Sequence, residues 1–261
     1  MNDMKNIKAS FKDLKFVSKE QVEYLNSLDD YFLHSIGSTI DKLENFIKYV
    51  PRTSIARFLT KYEIFKEILD VQGSIVECGV LFGGGLMTWA QLSSIVEPMN
   101  HQRRIIGFDS FKGIPSVSDK DIKAKVPTEL CQKGSFSIDS YEDLQECIKL
   151  YNTTRYFKNI DKIELVRGDI LETVPLYIKN NPHLVLSLLY LDVDIYEPTK
   201  ISLEYFLPRM PKGSIIVFDE LNGQSWPGET LAVLEQFGNF NNLRINRQLL
   251  GTSISYVKLG S

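Results

Sequence analysis

From residue 74 onward, short strand-like runs alternate with stretches of helical period, and few folds accommodate such an order. The strand candidates are "SIVECGV" (74–80), "RIIGFD" (104–109), "KIELVRGD" (162–169), "LSLLYLDVD" (186–194) and "GSIIVFDE" (213–220). Between and after them, helices are expected over 86–97, 140–151, 172–180, 198–208 and 229–237. Parallel strands need a crossover, usually a helix, to bring the chain back to the same edge. The alternation therefore implies an α/β fold: a mostly parallel sheet with helices on both faces. Two last apolar runs, "LRINRQL" and "SISYVKL", are separated only by "LGT". That is too short for a crossover, so a hairpin and one antiparallel edge strand are expected at the C-terminus.

The first 50 residues have a different texture. "KEQVEYLNSLDDYFLHSI" and "STIDKLENFIKYV" place apolar residues at helical intervals, and Ser38 with Asp41 reads as a capping pair. Pro51 breaks the chain, and "TSIARFLTKYEIFKEIL" follows as a longer amphipathic helix with Thr53 or Ser54 as its expected cap. The division expected is 1–50 as a helical arm or lid and 51–261 as the main domain. The lysine-rich first 20 residues lack the continuous apolar core of a signal peptide and read as a solvated arm. The polar segment 110–139 has little periodicity and is expected to be an active-site loop or lid.

Composition excludes several functions. The 261 residues are 43% hydrophobic and 24% charged, with a net charge of -3, so no broad basic field attracts nucleic acid. The longest apolar stretch, Leu184 to Leu191, contains Ser187 and is too short to span a bilayer. Cys78, Cys131 and Cys147 form no C-x-x-C pair and read as reduced thiols of a cytoplasmic protein. His34, His101 and His183 share no metal-ligand spacing.

The chemistry is expected where the strands end. "VECGVLFGGGLMTW" leaves the first strand through Gly79, Gly83, Gly84 and Gly85, and enters a helix. Glycines there allow a sharp turn and close approach to a ligand, although the spacing is neither G-x-G-x-x-G nor a phosphate-binding loop. The second strand ends on Asp109, placed to accept from ribose hydroxyls, or else a loop aspartate on the surface. The third ends on Asp169, which can cap the next helix or stand beside an adenine. Asp192 and Asp194 end the fourth, and Asp219 and Glu220 the fifth. If those strands are neighbours, four acids crowd one volume, and a hard divalent cation (Mg²⁺, Mn²⁺ or Ca²⁺) resolves their repulsion. The bland alternative pairs them with Lys200, Arg209 or Lys212. Asp192 and Asp194 share a face if the strand continues through them.

"VECGVLFGGG", "GFDSFKGIP", "RGDILETVP", "LYLDVDIYEPTK" and "GSIIVFDELN", in that order, resemble the macrocin O-methyltransferase family over roughly residues 50–235. The resemblance implies a Rossmann-like class I methyltransferase sheet, S-adenosyl-L-methionine as cofactor, Mg²⁺ dependence and a sugar hydroxyl as acceptor. By the same resemblance, the loop from Glu77 through Gly79 and Gly83 to Gly85 would cradle the methionine part of the cofactor. Asp109 and Ser110 would hold the ribose, and Asp169 and Ile170 would lie near the adenine. Asp192 would lie beside the cofactor as well as the metal. Thr53, Ser54 and Arg57 would close over the cofactor carboxylate. Asp192, Asp219 and Glu220 would bind the metal, and Asp194 would be the general base. Glu220 stands where the family motif often has an aspartate, and "NGQSWPGET" after it departs from the antibiotic enzymes. Two rivals remain: a nicotinamide-dependent reductase, and a cofactor-binding module without chemistry. The expected partner is a small sugar substrate, with the N-terminal helices covering the site or forming a homo-oligomer contact.

Overall fold

The computed structural model describes residues 18–121, 132–248 and 250–260. Most of the lysine-rich arm, the middle of the 110–139 segment and Cys131 lie outside the described residues. The chain divides into two compact units, Met1–Ala56 and Arg57–Ser261.

In the first unit, α1 (Lys19–His34) starts from a capping box between Ser18 and Gln21, and α2 (Thr39–Glu44) from the expected one between Ser38 and Asp41. Tyr49 stacks on Tyr31 and meets Phe32 edge-on. The Lys42 ammonium donates to the carbonyl of Phe32. The third helix, α3 (Arg52–Lys66), begins one residue earlier than expected, and its first residues close this unit. The carbonyl of Pro51 accepts from Ser54 and Ile55, so Thr53 and Ser54 lie exposed in the first turn rather than at the cap. Proline is well suited to this end of a helix, where its missing N–H costs nothing.

The second unit holds a seven-stranded sheet in the order β3-β2-β1-β4-β5-β7-β6. The strands are β1 (Ser74–Cys78), β2 (Ile105–Asp109), β3 (Ile163–Arg167), β4 (Leu186–Leu191), β5 (Ile215–Phe218), β6 (Ile245–Arg247) and β7 (Ser255–Lys258). The first five are parallel. The C-terminal hairpin forms, but its antiparallel strand is not the edge: β7 pairs antiparallel with β5, and β6 lies outside it. An antiparallel partner on β5 leaves the other arm of the hairpin at the rim.

Helices α4 (Gly84–Val96), α5 (Tyr141–Thr153), α6 (Ile170–Asn180), α7 (Tyr196–Phe206) and α8 (Pro227–Phe237) surround the sheet. Alternate residues feed two cores. Ile75, Leu188 and Tyr190 pack with Phe65, Trp89 and Ile148, while Val76, Leu189 and Leu191 pack with Val174, Phe206 and Val233. Burial on both faces explains why the central strands read as continuous apolar runs. The inner strand β4 is wholly buried, and truncating Leu189 to alanine is expected to cost about 2–5 kcal/mol. Strand order reverses between β1 and β4, and such a switch point leaves a crevice at the carboxyl ends of the strands.

Candidate active site at the strand ends

The glycine loop and the acid loop meet at that switch point. The Gly79 N–H donates to the Phe108 carbonyl, and the Asp192 N–H to the Cys78 carbonyl, both at 2.9 Å. Gly79 has φ +89°, and a Cβ there would stand 1.9 Å from the Asp192 carbonyl oxygen. Only glycine permits both the backbone conformation and this approach. Gly83, the residue before α4, is packed against Leu144, and a Cβ on Gly85 would stand 2.4 Å from Glu77 Oε1.

That last contact locates Glu77. Its carboxylate lies under the loop and is 2% exposed. Oε2 accepts from Trp89 Nε1 at 2.8 Å and pairs with Lys61 Nζ at 3.5 Å. Burial raises its pKa, against the opposing pull of Lys61 and Trp89. Glu77 thus supports the loop from the core side. The Lys61 ammonium also lies 3.3 Å from the centre of the Tyr190 ring.

Asp109, at the end of β2, accepts from the N–H groups of Val80 and Leu81 with Oδ2, at 2.7 and 2.9 Å. Its Oδ1 accepts from Phe111 N–H at 2.7 Å. A carboxylate has about four lone-pair sites, so acceptor capacity remains after these three bonds. Ser110 closes the next turn, donating to the Gly113 carbonyl and accepting from Lys112 N–H. Asp169 caps α6 through Leu171 N–H at 3.0 Å, and Ile170 is buried in the second core. The described ends of the 110–139 segment pair through Ile114 and Ser135, and Ile114 packs with Ile195 and Trp226.

The acids do not share a strand face. β4 stops at Leu191, opposite Phe218, so Asp192 and Asp194 stand in the following loop, and Asp194 turns the chain at φ +62°. Asp219 is 3% exposed. Tyr190 Oη donates to its Oδ1 at 2.7 Å, and Arg57 to its Oδ2 at 2.8 Å. Burial raises the Asp192 pKa well above the usual range, with Asp219 and Asp194 adding to it and Arg57 and Lys61 opposing. Burial also opposes the charge of Arg57, but Asp219, Tyr190 and Asp192 hold its pKa above the ordinary value. Glu220 differs: its Oε2 lies over its own turn, 3.1 Å from where a Cβ of Gly223 would be.

One acid in this volume was not expected. Glu229, in the first turn of α8, is fully buried, and its Oε1 accepts the backbone N–H of Glu220 at 3.1 Å. Burial raises its pKa, with Asp219, Asp194 and Asp192 adding to it. An acid opening a helix ordinarily answers the positive end of the helix dipole, so "PGET" carries no other signal. Tyr190 and Lys61 were likewise hidden, as apparent strand core and helix surface.

The donor chemistry suits a hard divalent ion, since every acid here offers oxygen and no histidine or thiolate competes. Arg57 is paired with Asp219, and Lys61 also acts on Asp192. Among the described residues, no group of three or more His, Cys, Asp or Glu side chains is arranged so that it could hold a metal ion.

Comparison with known proteins supplies the family. Residues 58–248 match the model of the macrocin O-methyltransferases (TylF). The chain belongs to the macrocin O-methyltransferase family.

Within and around this family, a solved structure described as the calicheamicin methyltransferase CalS11 is 34% identical, with TM-score 0.88 over 97% of this chain and 98% of its own. A second, the apo form described as a TDP-rhamnose 3'-O-methyltransferase, is 33% identical, with TM-score 0.79 over 94% and 96%. A curated relative from Streptomyces olivaceus, an 8-demethyl-8-(2,3-dimethoxy-alpha-L-rhamnosyl)-tetracenomycin-C 4'-O-methyltransferase, is 26% identical over 58% of this chain and 53% of its own. The demethyldecarbamoylnovobiocin O-methyltransferase of Streptomyces niveus gives the same figures. The chain spans about half the length of these curated relatives. The macrocin O-methyltransferase match takes in every strand but β7, and thus both loops of the crevice. Among the described residues, no helix is long and apolar enough to cross a membrane.

Proposed function

We propose that this protein is an S-adenosylmethionine-dependent, divalent-metal-dependent O-methyltransferase acting on a sugar hydroxyl. A nucleotide-linked sugar is the acceptor favoured by likeness to the structure described as a TDP-rhamnose 3'-O-methyltransferase. The single observation that carries the reading is the clasp at the switch point, where the glycine loop at Gly79 touches the loop bearing Asp192 and Asp194. It supports a nucleoside-binding crevice beside buried acids, an arrangement suited to methyl transfer to an activated hydroxyl. Family membership also displaces the reductase alternative.

In this reading, Gly79 to Gly85 line the methionine end of the cofactor, with Glu77 beneath them. Asp109 keeps the loop shaped through Val80 and Leu81 and offers its remaining lone pair to the ribose. Asp169 and Ile170 border the adenine, and Ser110 shapes the turn beside the ribose. Arg57 serves the cofactor carboxylate. The cofactor supplies a methyl group on a sulfonium, so the protein's task is in-line alignment and a competent nucleophile.

Asp192, Asp219 and Glu220 would hold the cation. The ion supplies positive charge that lowers the pKa of a sugar hydroxyl and fixes its orientation. Asp194 takes the proton from that hydroxyl as the oxygen attacks. Tyr190 keeps Asp219 in one orientation, and Arg57 would have to yield Oδ2 for a cation to be held there. Asp194 stands in the loop after the strand end with a left-handed backbone, and its charge reaches Asp192 and Glu229, which is consistent with a base beside the ion site. A cytoplasmic location is part of this proposal, in keeping with cysteines that form no C-x-x-C pair. Self-association through the N-terminal helices is consistent with the exposed Ile36, Ile40, Leu43, Phe46 and Ile47, and light scattering tests it.

The test is incubation of the protein with labelled S-adenosylmethionine, MgCl₂ and a panel of nucleotide-linked deoxysugars, followed by mass spectrometry. One added methyl group, lost with EDTA, is the expected result. Transfer that persists in EDTA would remove the metal from the reading. Cofactor binding with no transfer to any sugar would favour the silent module.

A further inference from the structure

Glu229 is out of place for a first-turn glutamate. It is fully buried, its Oε1 is committed to the backbone N–H of Glu220, and its Oε2 has no hydrogen-bond partner. The charges that reach it are those of Asp219, Asp194 and Asp192, all of its own sign. Removing a carboxylate oxygen from water without a donor is costly, and surrounding it with acids adds to the cost. The Arg57 guanidinium donates to Asp219 and not to this oxygen. Packing alone would be served better by a leucine or glutamine in this position.

We propose that Glu229 is part of the divalent-cation site: its Oε1 fixes the backbone between Asp219 and Glu220, and its open Oε2 faces the ion, directly or through one ordered water. The inference rests on the metal reading above and deepens it. Hard cations take six or more oxygens, and an acid contributed from α8 adds to those on the two strand-end loops. Partners that orient a ligand in this way commonly alter metal affinity 10–100-fold when replaced. It also ties α8, and so the "NGQSWPGET" segment, to the ion.

The experiment is titration of the full chain with Mn²⁺, read by electron paramagnetic resonance and calorimetry, for the wild type and Glu229→Gln. Glutamine keeps the volume and the carbonyl that accepts from Glu220, but lacks the charge. Mn²⁺ affinity is expected to fall about tenfold or more, with S-adenosylmethionine affinity within twofold of wild type and no loss of melting temperature in the metal-free protein. Wild-type Mn²⁺ affinity in Glu229→Gln would overturn the inference and leave the metal reading intact. No Mn²⁺ binding by the wild type would remove both. Should Glu229→Gln not fold, Glu229→Asp gives the same reading: it keeps the charge but withdraws the oxygens, and unchanged Mn²⁺ affinity there would equally overturn the inference.

Discussion

The phenol of Tyr190 donates to Asp219 Oδ1 at 2.7 Å, from the last residue but one of the fully buried strand β4. Burial and then Asp219 itself raise the pKa of that phenol, so it stays a donor throughout the physiological range. Tyr190→Phe leaves a buried carboxylate oxygen without its partner, which costs about 1–3 kcal/mol. Denaturant unfolding is expected to show that loss, and Mn²⁺ titration a weaker site, because Asp219 is no longer held in one orientation. Unchanged Mn²⁺ affinity would separate this bond from the metal.

Asp192 and Asp194 are expected to fail differently. Asp192→Ala should abolish turnover together with any response to Mg²⁺. Asp194→Asn should bind cofactor and metal normally but lose about 10²–10⁴-fold in turnover, the usual contribution of a general base. Full turnover in Asp194→Asn with metal bound would remove Asp194 from that role. Single-turnover kinetics beside calorimetry distinguishes the cases.

Neighbouring glycines should respond unequally. Gly79→Ala meets the Asp192 carbonyl at 1.9 Å and places a side chain at φ +89°. Strain of this backbone kind costs about 1–3 kcal/mol before the clash is counted. Gly84→Ala meets nothing within 4 Å and starts a helix, where alanine is favoured. Thermal unfolding and S-adenosylmethionine binding should both collapse for the first, whereas thermal unfolding should stay near wild type for the second.

Lys162 gives a pH dependence remote from the crevice. Burial pushes its pKa down to about 8, with Glu97 opposing, while its ammonium donates to the Asn100 carbonyl at 2.7 Å. The folded protein therefore releases this proton before the unfolded chain does. Its charge destabilises the fold fully below about pH 8, and that penalty is relieved as pH rises toward the unfolded value of about 10.4. Lys162→Met should thus compare best with the wild type at pH 7 and lose ground by pH 9.5. Paired denaturant titrations at the two pH values measure the change; a gap that does not move would contradict it.

Much of the sheet was legible because a parallel strand buried on both faces has no polar residues to confuse it, as with 188–191. The positions of the acids relative to the crevice were legible for the same reason: each follows the run that places it. Their orientation was not. Whether β4 ends at Leu191 or runs on to Asp194 depends on where β5 stops pairing, which is a long-range fact. Asp194 adopts a left-handed backbone that aspartate tolerates but does not announce. Asp109 and Asp169 each had two readings. The structure shows the cap at Asp169, and at Asp109 it shows a third use, as acceptor for the glycine loop itself. Glu229 was invisible because its burial is decided by the packing of α8, not by its neighbours in sequence.

The contact between Gly79 and Asp192 makes the two halves of the crevice thermodynamically reciprocal. Whatever restrains one backbone segment reduces the freedom left for the other to lose. Cofactor and cation should therefore each tighten the other's binding, and by one and the same factor. Calorimetry with the two ligands added in either order closes that cycle; equal affinities with and without the companion ligand would mean the segments move independently despite touching.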